Sequence, residues 1–430
     1  MPHDPASFSP RRAPISKLPV EVLGEIFKCY AESYPEVLNE RIVDLCLVSQ
    51  YWKTIAEATP QLWTRINLFS PLSDSKITVA MNRIRASKLQ GIDVSIKLKN
   101  TNWSGQKSDH IEYGTVITQI RKVRTALEGT EKRWRSVKVV SDTWVHLFTL
   151  LETWKRFKDL PFLEYASMER LDTIPSRRET PPTVHLMSLF GQGALVPKLR
   201  ELELSAVRLQ WDTSVGFQNL RKLQMDRATN DVKPTFQQFA TMLSTSPRLE
   251  HLNILGFYPE DPTEVDLPIP VVHLPELKDF AFGWGDANLS PKFLEMFQIG
   301  NSLERLTLVD YGSILDLREV PGTRVWVQNS NRVFQVLSVL SDSAPADGET
   351  LPPHPFISMR GVKKLSIART QVGVIEMVLL LGGMTNLENI ELTIVDKDII
   401  RAVEMVAEER WREGPPFTCW VFRGYTQQLF

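Results

Sequence analysis

The chain has 430 residues, long enough for two or three ordinary domains or for one elongated repeat array. It is 43% hydrophobic and 23% charged, a composition typical of folded proteins and not of disordered ones. Its 50 Lys and Arg residues are matched by 51 Asp and Glu residues, which gives a formal net charge of -1. A chain so balanced has no bulk attraction for phosphate backbones, so we do not expect nucleic acid as a partner.

Residues 1–14 are rich in Pro, Ser and Arg, and we predict that this N-terminus is disordered. It has no apolar stretch of the kind found in signal peptides, and no apolar run elsewhere approaches the length of a membrane span. Cys29, Cys46 and Cys419 form no CxxC pair and are predicted to be buried free thiols. Together these features predict a cytoplasmic and/or nuclear protein with no membrane partner.

Residues 15–59 have the pattern of a compact helical domain. Pro19 suits the first position of a helix, where its missing N–H costs nothing. One face of that helix is predicted to carry the apolar residues Val22, Leu23, Ile26, Phe27 and Tyr30.

The next segment, RIVDLCLVSQYWKTIAEAT (41–59), is predicted to be further helix that Pro60 ends. Val48, Trp52 and Ile55 have the spacing of a single helix face. A three-helix domain of this size has more apolar surface than it can bury. It should therefore bind a partner or pack on the rest of the chain as an N-terminal cap, and the spacing alone does not decide between them.

After Pro60 one short pattern returns, in which an apolar residue is followed by others at the fourth and sixth positions. The strong copies are LRELEL (199–204), LRKLQM (220–225), LEHLNI (249–254), LKDFAF (277–282), LERLTL (303–308), VKKLSI (362–367) and LENIEL (387–392). The weaker copies are WTRINL (63–68), LQGIDVSI (89–96), WRSVKV (134–139) and LEYASM (163–168). Within 199–303 and 362–387 the copies start 21 to 29 residues apart, which is the period of leucine-rich repeats.

This pattern predicts the fold class. Alternation at the fourth and sixth positions is typical of a strand with one buried face, and PTFQQFATMLSTSP between two copies has helical spacing at Phe236, Phe239, Ala240 and Leu243. One strand and one helix cannot cover their own apolar faces, but stacked units can. Residues 60–430 are therefore predicted to form an α/β leucine-rich-repeat solenoid, a curved parallel sheet with helices on the convex side.

Two regions interrupt or end this array. Between 303 and 362 the sequence holds a strand candidate, TRVWVQ (323–328), and a loop predicted to be exposed at 341–356. An amphipathic helix is predicted at 396–413, where it would cap the open end of the array, and an apolar tail follows it.

The sequence contains no pattern that predicts catalysis. The seven histidines are scattered, and no HExxH, GxxxxGK or GxSxG motif occurs. We therefore predict no catalytic, cofactor or metal site and no enzyme activity. An enzyme with an unrecognised site is left as a third alternative, behind the two binding functions given below.

The N-terminal unit resembles the F-box over residues 15–68, through LPxEVLxEIF followed by LCLVSxYWxxIAxxTPxLW. The likeness is greatest to fungal F-box-like proteins whose F-box continues into irregular leucine-rich repeats. The loop AESYPEVLNE (31–40) departs from the pattern because it is longer than in a minimal F-box. Trp63 follows Pro60 and is interpreted as the hinge residue that packs the F-box onto the repeats.

The resemblance implies a non-catalytic substrate receptor that binds an SKP-type adaptor and, through it, a cullin–RING ubiquitin ligase. By motif, the first adaptor contact would come from Leu18, Pro19, Val22 and Ile26, and the second from Leu47, Val48 and Trp52. The alternative function is a leucine-rich-repeat interaction scaffold with no ligase role.

The strand pattern also predicts two columns of side chains on the face opposite the helices. The first column is Glu201, Lys222, His251, Asp279, Arg305, Lys364 and Asn389. The second column is Glu203, Gln224, Asn253, Ala281, Thr307, Ser366 and Glu391. An unidentified protein substrate is expected to dock there, with Lys222, His251 and Arg305 as the main candidates and Glu201, Glu203 and Asn253 beside them; an ordinary solvated sheet face is the alternative.

Overall fold

A computed structural model describes residues 14–33, 38–99, 113–171, 189–190, 195–211, 217–227, 233–257, 259–260, 268–284, 289–310, 357, 359–368, 374–393, 395–413 and 417–422. The predictions made for 1–14, 323–328 and 341–356 lie outside these ranges, except that Pro14 begins a short 3-10 turn, Pro14–Lys17.

Three helices form the N-terminal unit: α1 Val20–Glu32, α2 Leu38–Val48 and α3 Gln50–Ala58. A 3-10 turn, Pro60–Trp63, follows them. The helices share a small core of their own, separate from the core of the rest of the chain, made of Leu23, Phe27, Ala31, Ile42, Leu45, Ile55, Ala56 and Leu62. The predicted loop at 31–40 is wrong at both ends, because α1 continues to Glu32 and α2 begins at Leu38.

The prediction of continuous helix through 41–59 is wrong at Ser49. This residue has extended backbone angles, and its side chain accepts a hydrogen bond of 3.1 Å from the backbone N–H of Trp52, so it caps α3. Val48 ends the preceding helix and does not share a helix face with Trp52 and Ile55.

The rest of the chain is organised on one 12-stranded sheet. Its strands are β1 Arg65–Phe69, β2 Ile92–Leu98, β3 Trp134–Ser141, β4 Tyr165–Arg170, β5 Glu201–Ser205, β6 Lys222–Asp226, β7 His251–Leu255, β9 Asp279–Trp284, β11 Arg305–Asp310, β12 Lys364–Ala368, β13 Asn389–Thr393 and β14 Thr418–Phe422. Neighbours in the sheet follow chain order and every pairing is parallel. Two short strands, β8 Val272–His273 and β10 Phe297–Gln298, form a separate parallel pair.

Helices occupy the connections and pack against one face of this sheet. They are α4 Asp74–Ala86, α5 Tyr113–Leu127, α6 Trp144–Trp154, α7 Phe236–Ser244, α8 Leu289–Leu294, α9 Val374–Gly382 and α10 Lys397–Glu413. In α7 the predicted residues Phe236, Phe239, Ala240 and Leu243 are all buried, and Thr235 with Gln238 forms a capping box at its start.

The repeat pattern accounts for the core. In all seven strong copies the residues at the first, fourth and sixth positions are at most 4% exposed. They join the apolar faces of the helices in one continuous cluster. The predicted fold class is confirmed: a short helical N-terminal unit precedes a long parallel sheet with helices, an α/β arrangement of the solenoid type.

One prediction about the C-terminal part needs correction. The helix α10 is present, but it does not form the last element of the array, because the predicted apolar tail returns to the sheet as strand β14.

The prediction of buried thiols is wrong for Cys29, which is exposed on α1, while Cys46 and Cys419 are half-buried. Within the described ranges, no helix is long and apolar enough to cross a membrane.

We predict that Leu202→Ala and Leu306→Ala each lower the free energy of unfolding by about 2–5 kcal/mol, because each removes a fully buried side chain from a packed core. Leu89→Ala is the matched control, since Leu89 is 91% exposed and should change stability little. Urea unfolding monitored by circular dichroism measures all three. Equal effects of the core and control variants would contradict the assigned burial.

Candidate interaction surfaces

An exposed apolar surface, the helical patch, covers part of the N-terminal unit. Its residues are Val20, Val22 and Ile26 on α1, Val43, Leu47 and Val48 on α2, and Tyr51 on α3. They are 40–77% exposed, and Leu47 is the most exposed of them. An apolar set of this size on so small a unit is typical of a protein-binding surface.

The helical patch exists because the apolar stripe of α1 is wider than the core can cover. Leu23 and Phe27 point into the small core, whereas Val22 and Ile26, one helical turn apart, lie on the exposed flank. The predicted apolar face is therefore divided between the small core and an exposed flank, and the exposed flank is what remains for a partner.

The structure separates the predicted adaptor residues into two groups. Val22, Ile26, Leu47 and Val48 belong to the helical patch, and Pro19 is exposed at the start of α1. Leu18 and Trp52 are half-buried against the small core instead, and the ring of Trp52 lies 4.8 Å from that of Phe27.

Val20, Val43 and Tyr51 were missed by sequence reasoning. The spacing of Val43 and Leu47, one turn apart on α2, was a signal that could have identified Val43.

Trp63 joins the N-terminal unit to the sheet. Its indole N–H donates a hydrogen bond of 2.8 Å to the carbonyl of Ala56 in α3. On its other side the guanidinium of Arg83, from α4, lies 5.6 Å from the centre of the ring. Arg83 is buried and donates a hydrogen bond of 3.0 Å to the carbonyl of Arg65 in β1. One tryptophan thus contacts the last helix of the unit and the first helix of the sheet layer.

The face of the sheet opposite the helices, here called the open face, carries the two predicted columns in the predicted register. Each residue of the first column pairs with the next across the strands, from Glu201 to Asn389. The second column aligns in the same way from Glu203 to Glu391. The structure therefore brings all six predicted substrate-binding residues onto one surface of β5, β6, β7 and β11.

The positive charges of the first column are paired with acids of the same column or of the second column. The Lys222 amino group lies 2.7 Å from a carboxylate oxygen of Glu203 and 4.0 Å from one of Glu201. Arg305 lies 2.7 Å from Asp279, and the Nδ1 atom of His251 lies 3.5 Å from the same carboxylate. The three main candidates are therefore held by neighbouring acids and do not form one field of positive charge.

Glu203 is the best-anchored acid of the open face. It accepts hydrogen bonds from Lys222 at 2.7 Å and from the Tyr165 hydroxyl at 2.8 Å. Burial alone would raise the pKa of Glu203, but the two donors outweigh it and lower the pKa below its usual value near 4.5. Burial and the adjacent carboxylate of Glu203 raise the pKa of Tyr165 to about 12, so its hydroxyl stays protonated and donates.

The second column has a different character. It carries no charge over five consecutive strands, at Gln224, Asn253, Ala281, Thr307 and Ser366. The Oδ1 atom of Asn253 is buried and accepts no hydrogen bond from any residue in the described part of the chain. The open face thus consists of a charged first column beside a second column that is uncharged from Gln224 to Ser366, with the acids Glu203 and Glu391 on either side of that stretch. No group of three or more His, Cys, Asp or Glu side chains within the described ranges could hold a metal ion.

We predict that, as the pH falls, the free energy of unfolding decreases more steeply in the wild type than in the Glu203→Gln variant. Because folding lowers the pKa of Glu203, the unfolded chain binds the proton first as the pH falls, and the stabilisation is lost between the unfolded and the folded pKa. Gln224→Ala, on the next strand of the same face, is the control and should keep the wild-type slope. The slopes are measured by urea unfolding at a series of pH values from about 6 to about 3. This pH range brackets an ordinary Glu pKa. An equal slope in Glu203→Gln would contradict the prediction.

Comparison with known proteins bears on the N-terminal unit. Residues 15–68 match the F-box-like family model, over the three helices, the turn containing Trp63 and most of β1. A comparison with curated proteins found no significant match. The matched segment contains every residue of the helical patch, and we conclude that residues 15–68 of this chain are an F-box-like domain.

Proposed function

We propose that this chain is the substrate-recognition subunit of an SCF-type ubiquitin ligase. Its F-box-like domain binds an SKP-type adaptor, the adaptor connects it to a cullin–RING ligase, and its repeats hold a protein substrate. The transfer chemistry belongs to the partners, so the chain itself contributes binding and orientation. The proposed location is the cytoplasm and/or the nucleus, where such complexes would meet it.

The helical patch is the observation that carries this proposal. An F-box-like domain that served only as a cap on the sheet would need to bury only the side that carries Trp63. Here it also exposes seven apolar residues from all three helices, and Leu47 alone is 77% exposed. Burying a leucine side chain fully contributes about 1.5–3 kcal/mol, so a partner that covers several of these residues gains substantial affinity.

The repeat region supports the second half of the proposal. We assign its units to irregular leucine-rich repeats of the fungal F-box type, supported by the spacing of the copies and by the parallel sheet that they form. The open face is the proposed docking surface for a protein substrate. The uncharged part of its second column, from Gln224 to Ser366, would accept a close backbone approach, and its first column offers both signs of charge for complementary contacts.

We predict that Leu47→Glu combined with Val48→Glu abolishes co-purification with an SKP-type adaptor. These side chains are 77% and 58% exposed, so the domain should stay folded while two charges enter the proposed apolar interface. Val79→Glu is the matched control, because Val79 is 57% exposed on α4, outside the F-box-like domain. The measurement is a quantitative pull-down with purified adaptor, with circular dichroism as a folding check. Retained binding in the folded double variant would contradict the adaptor surface.

Replacing Lys222, His251 and Arg305 with Ala is predicted to weaken capture of a substrate while adaptor binding and folding persist. All three lie on the first column, where their loss removes the cationic neighbours of Asp279, leaves Glu203 with the Tyr165 hydroxyl as its donor, and alters the charge pattern. Arg121→Ala with Arg124→Ala removes two exposed positive charges from α5, on the helix side of the sheet, and is the control. The assay is capture of a substrate first identified by proximity labelling with the whole chain. Full capture by the triple variant would move the substrate site away from this column.

The second candidate function is a protein-interaction scaffold without a ligase role. The contacts of Trp63 with Ala56 and Arg83 favour it, since they pack the F-box-like domain against the first helix of the sheet layer. The wild-type chain distinguishes the two functions. A scaffold would bind its partners through the repeats but would capture no SKP-type adaptor.

A further inference from the structure

We propose that the C-terminal edge of the sheet is an interface at which a second copy of this chain pairs strand to strand, β14 to β14. This interface lies at the edge of the sheet, on the strand beyond the last residues of the two columns, Asn389 and Glu391.

The two edges of the sheet differ in how well they are covered. At the β1 edge, Ile66 and Leu68 are fully buried. At the β14 edge, Cys419 and Val421 occupy the same side of the sheet and pair in register with Ile390 and Leu392. Those two neighbours are fully buried, whereas Cys419 and Val421 are only half-buried. Among the residues that the structure describes, the apolar layer thus continues to the last strand and is only partly covered there, a condition that repeat arrays normally avoid.

The backbone of β14 is also open on its outer side. Among the residues that the structure describes, this strand pairs with β13 and with no other. The N–H of Thr418 donates to the carbonyl of Glu388 at 2.8 Å, which sets the alternation along the strand. Thr418 and Trp420 direct their backbone groups to β13, so Cys419 and Val421 direct theirs outward.

Features that usually protect an edge strand do not occur in β14. Its sequence, TCWVF, has no charged residue and no proline, and its pairing with β13 has no bulge. On the open face Trp420 is 42% exposed. Such a strand, with outward backbone donors and acceptors and apolar side chains on both faces, is a template for another strand.

A second copy fits this edge because β14 is complementary to itself. In an antiparallel pair centred on Trp420, Cys419 of one copy faces Val421 of the other, and both residues exchange their outward hydrogen bonds. The two Trp420 residues then form the close, non-hydrogen-bonded pair, with Cα atoms about 4.5 Å apart. No like charges meet, since the strand carries none. One strand pair buries little surface, so we expect a weak, concentration-dependent dimer.

Sedimentation velocity of the full chain over a concentration series tests the association. The wild type should shift from monomer to dimer as concentration rises. Val421→Pro removes an outward N–H without removing a bond to β13, and Trp420→Glu places two like charges in contact, so both should remain monomeric. Thr307→Glu, in the second column of the central strand β11, is the matched control and should still dimerise.

Cross-linking tests the register in a Cys419→Val background. Trp420→Cys should form a disulfide-linked dimer on mild oxidation, because about 4.5 Å between Cα atoms suits a disulfide. Thr418→Cys should not, because the two copies of that residue lie four residues out of register, roughly 14 Å apart. A wild type that stays monomeric, as it would if residues outside the described ranges cover β14, overturns the proposal. A dimer that persists in both Val421→Pro and Trp420→Glu also overturns the proposal. Equal cross-linking of the Thr418→Cys and Trp420→Cys variants overturns it as well.

Discussion

The parallel register of the sheet is the constraint on which the rest of the structure depends. Each strand buries alternate residues toward the helices, and a one-residue slip would expose leucines and bury charges. The pairings Leu202 with Leu223 and Leu306 with Leu365 show that the same pattern position meets itself on successive strands. Because this rule repeats along the chain, loops of very different length connect strands that still align.

That register also determines the chemistry of the open face. Residues that alternate with the buried ones must stack into columns, and stacked charges of opposite sign pair where they meet, as with Arg305 and Asp279. A second ladder runs at the strand starts, where Glu250 pairs with Arg221 at 2.9 Å and with Lys278 at 2.8 Å. Because these pairs are exposed, water and salt screen them, and they contribute little to stability. A protein that docked on this face, as proposed, would exchange these pairs at small cost, and they would then serve selectivity more than stability.

The strand positions and the columns could be predicted from the sequence because they depend on local alternation alone. The break at Ser49 could not, since the helical spacing of Val48 and Trp52 continues across it and only the cap shows the change of direction. Likewise, the pattern placed Val22 beside Leu23 but did not show which flank of α1 the small core covers. The pairing of Lys222 with Glu203 also escaped, because these residues lie on adjacent columns and meet diagonally across two strands.

Trp63 connects the proposed adaptor-binding domain to the repeats that carry the proposed substrate surface. The F-box-like domain has a small core that is separate from the core of the repeats, so that core does not fix its position relative to them. In the proposed function, the helical patch is useful only if the repeats stay in a defined position relative to it. Trp63 supplies that connection by a hydrogen bond to Ala56 on one side and a stacked Arg83 on the other. Arg83 is in turn held by the carbonyl of Arg65, in the first strand. An adaptor bound to the helical patch and a substrate bound to the open face would thus be connected through packed side chains. This packing is the physical reason for a tryptophan two residues before the start of the first strand.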